Sequence, residues 1–139
     1  MVIKMASVNT LIERMKYWVN EADLGYDQGE RQNIFPHGEC DCSSLVIRAL
    51  QESGFQTGSA SYTGDLRSNL CNHGWIVIPV DGNPQPGDIC LNDAEHVAVC
   101  TAPHTLAYAS IDERGCASGG ESGDQTGLET KEAPYYDHP

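Results

Sequence analysis

Positive charge is scarce in this 139-residue chain: 8 Lys and Arg stand against 20 Asp and Glu, for a net charge of −12. Nucleic-acid binding depends on clustered basic residues, so that function class is excluded. The same deficit argues against electrostatic docking on anionic membranes or wall polymers. Long apolar runs are also missing. Nothing approaches the ~20 residues that a membrane span needs, so no membrane insertion is expected. The start, MVIKMASVNT, has no apolar h-region and no small-residue cleavage site, so no signal peptide is read there.

What remains is the composition of an ordinary globular domain, 40% hydrophobic and 20% charged. The length fits a single domain, 1–139. Its end, Tyr135-Tyr136-Asp137-His138-Pro139, carries no stop signal and looks like a cut from a longer protein. Six cysteines are present: Cys40, Cys42, Cys71, Cys90, Cys100 and Cys116. A domain of this size needs no disulfide staples, and without an export signal the thiols are expected to be mostly reduced. For Cys90 and Cys100 core packing suffices as a role.

Leu11, Met15, Trp18 and Ala22 recur at helical spacing, which predicts a helix from about Ser7 to Leu24, capped by Ser7 or Asn9. A polar loop follows. Cys42 to Ser53 predicts a second helix, with Asp41 as its cap and Gly54 as its stop. A third, from Gly64 to His73, has Thr63 as cap. The period then changes to two. Strands are expected at Trp75–Ile78, Asp88–Leu91, His96–Thr101 and Thr105–Ile111, with an edge strand from Glu129 to Tyr136. Gly115 to Gly127 is Gly/Ser-rich and reads as a long loop. Helices followed by antiparallel strands is an α+β order.

Three signals carry chemistry. Cys42 opens a helix, where the N-terminal field favours a thiolate, and small Ser43 and Ser44 leave room for a substrate. Position alone favours a buried helix cysteine. His96 opens the apolar run Val97-Ala98-Val99-Cys100, and a base on a strand can face a nucleophile on a helix end, as thiol hydrolases require. By itself such a histidine is also an ordinary surface residue. The third signal is register. A three-residue loop Ala102-Pro103-His104 pairs Ala98 with Tyr108 and His96 with Ser110, which puts Tyr108 and Asp112 diagonally beside His96. Either can orient the ring. A two-residue turn would put Ala109 and Ile111 there instead. A zinc-bound structural module is the competing class, with Cys40, Cys42, Cys71 and His73 as ligands, although structural zinc favours longer spacings.

These residues resemble the NlpC/P60 superfamily in order and spacing. The segments are Asp41-Cys42-Ser43-Ser44-Leu45-Val46, Gln85-Pro86-Gly87-Asp88-Ile89, His96-Val97-Ala98-Val99 and Leu106-Ala107-Tyr108-Ala109-Ser110. The bacteriophage peptidoglycan hydrolase (Amidase_5) branch is the nearest likeness. Gly25-Tyr26-Asp27-Gln28 with Arg31, and Gly123-Asp124-Gln125-Thr126-Gly127, also look like that branch. The resemblance runs from about Tyr17 to Tyr136. It implies a papain-like α+β fold and hydrolysis of amide bonds in peptidoglycan stem peptides or cross-links, with no cofactor and no metal. It matches Cys42 to the nucleophile and His96 to the base. It places Tyr26 by the reacting centre and Tyr108 at the orienter's position, where the family usually carries His, Glu or another polar group. Asp112 is the stronger orienter chemically, and Glu113 is the next candidate. Gln28, Asp41 and Ser43 are expected near the substrate. The acidic charge and missing signal suit a phage or prophage endolysin, made in the cytoplasm and released to the wall by a separate permeabilising protein. A wall-binding module beyond Pro139 would fit that role. A housekeeping wall enzyme or an antibacterial toxin on the same fold are the other enzymatic readings.

Overall fold

The computed structural model describes residues 6–30, 34–94, 96–109, 123 and 129–135. Helix α1 spans Val8–Asn20, and Ser7 caps it by accepting from the Thr10 N–H at 3.2 Å. The apolar stripe Leu11, Met15, Trp18 and Val19 is buried. The helix ends one turn earlier than its periodicity suggests. Asp23 takes a left-handed φ of 58°, yet Ala22 and Leu24 stay buried beyond the end. Strands β1 (Gly25–Tyr26) and β2 (Glu39–Cys40) then form a short parallel pair that periodicity did not reveal, since two residues carry no period.

Helix α2 spans Cys42–Glu52 and α3 spans Thr63–Cys71. Asp41 caps α2 as expected. For α3, the Asp65 carboxylate accepts from the backbone N–H groups of Ser61 at 2.9 Å and Tyr62 at 3.1 Å, so the cap lies just before Thr63. A four-stranded antiparallel sheet follows, in the order β3 (Ile89–Asn92), β4 (His96–Ala102), β5 (Thr105–Ala109), β6 (Thr130–Pro134). The α+β expectation is met: α1 and α2 pack on each other and on β4 and β5. Val97, Val99, Ala107 and Ala109 join the helices in the main core. The opposite face of the sheet holds Ala98, Cys100 and Leu106, with Cys90, Tyr108 and Tyr135 packed around them.

One expected strand is absent. Trp75–Ile78 forms no ladder, and Ile76 and Val80 are each 81% exposed. β-propensity reports fit to a half-buried pleat, and among the described residues no neighbouring strand supplies one. The expected strand Thr105–Ile111 is described only to Ala109, and Ser110, Ile111, Asp112, Glu113 and the loop cysteine Cys116 lie outside the described residues.

The β4–β5 connection is tighter than a three-residue loop. Ala102 pairs with Thr105 across the two-residue turn Pro103-His104, in which His104 takes φ 55°. A bulge between Cys100 and Ala102 then shifts the ladder, so that Cys100 pairs with Leu106 and Val99 with Ala107. The extra residue, Thr101, is buried, and its hydroxyl donates to Glu132 at 2.6 Å. Turn plus bulge therefore reach the same register that the three-residue loop would have given.

Candidate active site

The start of α2 is fixed by a reciprocal cap. The Asp41 carboxylate accepts from the Ser44 N–H at 2.8 Å, and the Ser44 hydroxyl accepts from the Asp41 N–H at 2.9 Å. Ser43 donates its hydroxyl to Asp41 at 3.3 Å and is 2% exposed. Asp41 and Ser43, expected near a substrate, make these bonds at the helix end. Cys42, the first helical residue, is 5% exposed.

Burial pushes the Cys42 thiol above its ordinary range, and the Asp41 carboxylate adds to that. Backbone N–H groups of Val97, Ser43 and Cys42 itself pull it back down. The favourable field of the helix start is therefore present but outweighed in the resting protein, contrary to the simple expectation from helix position. The Val97 contact also places the sulfur against the first residues of β4, one residue from His96.

His96 is half-buried at the mouth of β4. Its ring meets Tyr108 on β5 edge-on, with centroids 5.1 Å apart and planes at 89°. This is the diagonal neighbour that the register called for. On the next strand Lys131 pairs directly with Tyr108, and its ammonium stands 5.6 Å from the phenol ring centroid. Lys131 escaped sequence reasoning. Only the pairing of β5 with β6 reveals it, and no local motif encodes that pairing.

Tyr26 reaches the same neighbourhood through β1. It pairs with Cys40, two residues before Cys42. Its hydroxyl accepts from Gln28 at 3.3 Å, and burial pushes the phenol up to about 12 against the lowering effect of that bond, with the charges of Cys42, Asp41 and Cys40 adding to the rise. Tyr26 and Gln28 are thus brought together beside the α2 start. Cys40 is fully buried, its thiol donates to the Gly25 carbonyl at 3.7 Å, and burial raises it far above the usual thiol range. Of the two thiols in Cys40-X-Cys42, it is the one held in the core.

The zinc constellation is not assembled: Cys71 is exposed at the end of α3, His73 bonds the Asn69 carbonyl at 2.8 Å, and no group of three metal-ligating side chains occurs among the described residues. A cavity of about 550 Å³ lies elsewhere, between Val8, Phe55, Leu70, the half-buried Trp75 and the exposed run from Ile76 to Val80. It contains none of Cys42, His96, Tyr108 or Tyr26. Among the described residues no helix is long and apolar enough to cross a membrane.

No curated protein matches the chain. The endolysin-like domain matches residues 3–103 and 106–139, which takes in Cys42, His96 and Tyr108. With nearly the whole length matched, the chain belongs to the endolysin-like domain family, a domain type of phage cell-wall hydrolases.

Proposed function

We infer that this domain cleaves an amide bond in peptidoglycan stem peptides or cross-links by a thiol mechanism, as an NlpC/P60-type hydrolase of the Amidase_5 kind. The observation that carries this reading is the place of the Cys42 sulfur. It sits on a doubly capped helix start, within reach of the N–H of Val97, the residue that follows His96 on β4. His96 takes the thiol proton, and the thiolate attacks the scissile carbonyl. The tetrahedral oxyanion draws on the Cys42 N–H and the Tyr26 hydroxyl. A phenol at about 12 stays protonated at any working pH, and because Gln28 donates to its oxygen, its own proton remains for the substrate. The amine leaves with the proton held by His96. Water, deprotonated by the same imidazole, then hydrolyses the thioester. The raised resting thiol makes proton transfer to His96 part of catalysis rather than a step completed beforehand.

Tyr108 orients His96 through its ring edge in this scheme, and Asp112 is the carboxylate that would strengthen the imidazolium. The domain would act on the wall as a phage or prophage endolysin. The test is digestion of purified walls, with the released muropeptides identified by mass spectrometry. Cys42→Ala should lower lysis by ~10⁴ or more while the circular dichroism spectrum is retained. Cys40→Ala should keep most of the activity. An essential Cys40 with a dispensable Cys42 would refute the assignment.

A further inference from the structure

In so acidic a chain, the disposition of the few cations is informative. Among the described residues, Arg14 and Arg48 both face Glu52, Arg67 forks onto Asp93 at 2.8 Å, and Lys16 is exposed on α1. Lys131 differs from all of these. It is half-buried, makes no ion pair among the described residues, and sits over the Tyr108 ring at 5.6 Å. The ring that holds it is the ring that meets His96. Three consecutive strands, β4, β5 and β6, therefore bring imidazole, phenol and ammonium into one row.

We propose that Lys131 is the specificity residue that binds a substrate carboxylate beside the reacting centre. The proposal rests on the hydrolase reading above. Stem peptides carry free carboxylates, and a chain of net charge −12 repels them everywhere except where a positive charge is placed. An ammonium that faces a π surface, and no carboxylate among the described residues, keeps its ion-pairing capacity for a ligand. The contacts of 5.1 and 5.6 Å put that ammonium no more than about three extended residues from the imidazole, at roughly 3.3 Å per residue. The recognised carboxylate therefore lies within about three residues of the scissile bond, and amidating it removes the recognition.

The test compares two synthetic stem peptides, identical except that one carries the free carboxylate and the other its carboxamide. The wild-type enzyme should show a KM ~10-fold or more lower for the carboxylate peptide, the range of a charge-assisted bond. In Lys131→Met that KM ratio should collapse towards one, and Lys131→Arg should restore it. A merely structural lysine would alter both peptides alike and leave the ratio in place. An unchanged ratio in Lys131→Met, or no preference in the wild type, overturns the proposal. Cleavage of neither peptide would refute the hydrolase reading instead. Binding of the two peptides to the Cys42→Ala protein then decides on Lys131 separately: a carboxylate preference abolished by Lys131→Met upholds it, and equal binding of both peptides overturns it.

Discussion

Asp41 performs two tasks that substitution can separate. Its carboxylate caps α2, accepting from the Ser44 N–H at 2.8 Å and the Ser43 hydroxyl at 3.3 Å, and its charge raises the neighbouring Cys42 thiol. Asp41→Ala removes both. Loss of a cap costs about 1 kcal/mol. Leaving a buried hydroxyl without its acceptor adds about 1 kcal/mol more. A total of about 2 kcal/mol lowers the melting temperature by roughly 5–10 °C in a domain of this size. Asp41→Asn keeps an acceptor oxygen at the same place and should cost under about 0.5 kcal/mol, since Asn caps as well as Asp. It removes the charge, however, so the thiol should fall. Brief iodoacetamide labelling at pH 7, followed by mass mapping, should find Cys42 alkylated faster in Asp41→Asn than in the wild type. Thermal melts read the first effect and labelling reads the second. If Asn destabilises as much as Ala, the acceptor oxygen is not what holds the helix end. If labelling is unchanged, the charge of Asp41 does not govern the sulfur.

Two further outcomes follow from burial. Cys40 and Cys42 are raised, Cys90 is raised from 9.0 to about 11, and Tyr26 from 10.0 to about 12. The unfolded chain releases these protons first, so their contribution to stability is complete below about pH 9 and is lost as pH rises through the folded values. Melts from pH 7 to 11 should decline from about pH 9, and Cys90→Ala should flatten that decline; a constant melting temperature would contradict it. Leu45→Ala, at a fully buried α2 position, should cost about 2–5 kcal/mol in urea unfolding, whereas Ile76→Ser, at a residue 81% exposed, should stay within about 0.5 kcal/mol. Equal losses would mean that Ile76 is packed.

The site was legible where local chemistry decides structure. Asp41-Cys42-Ser43-Ser44 is a cap followed by a helix start, and both appear in the fold. The His96–Tyr108 neighbourhood was legible because side-chain direction in a ladder follows from counting residues. Failures came where a partner decides. Trp75-Ile76-Val77-Ile78 has the propensity of a strand and, among the described residues, no strand beside it. The β1–β2 pair is too short to show a period, although it carries Tyr26 to the start of α2. Lys131 is an unremarkable lysine until the β5–β6 register sets it opposite Tyr108. The resting Cys42 thiol is raised because the desolvation of a folded core exceeds the field of one helix end, and a string of letters does not display desolvation.

The bulge at Thr101 works as a parity switch. Without it, the turn Pro103-His104 would pair Val99 with Tyr108, sending the phenol into the helix-facing core and setting Ala109 near His96. One residue deleted from β4 would thus exchange the face of β5 that meets His96 with the face that packs on the helices. One residue added to the turn at the same time would exchange them back. Chains of this type can therefore vary the sequence and length of that hairpin widely, provided that insertions in the turn and deletions in the strand cancel in pairs. The bond from Thr101 to Glu132, which also holds Asn20 of α1 at 2.7 Å, ties that count to the helix layer.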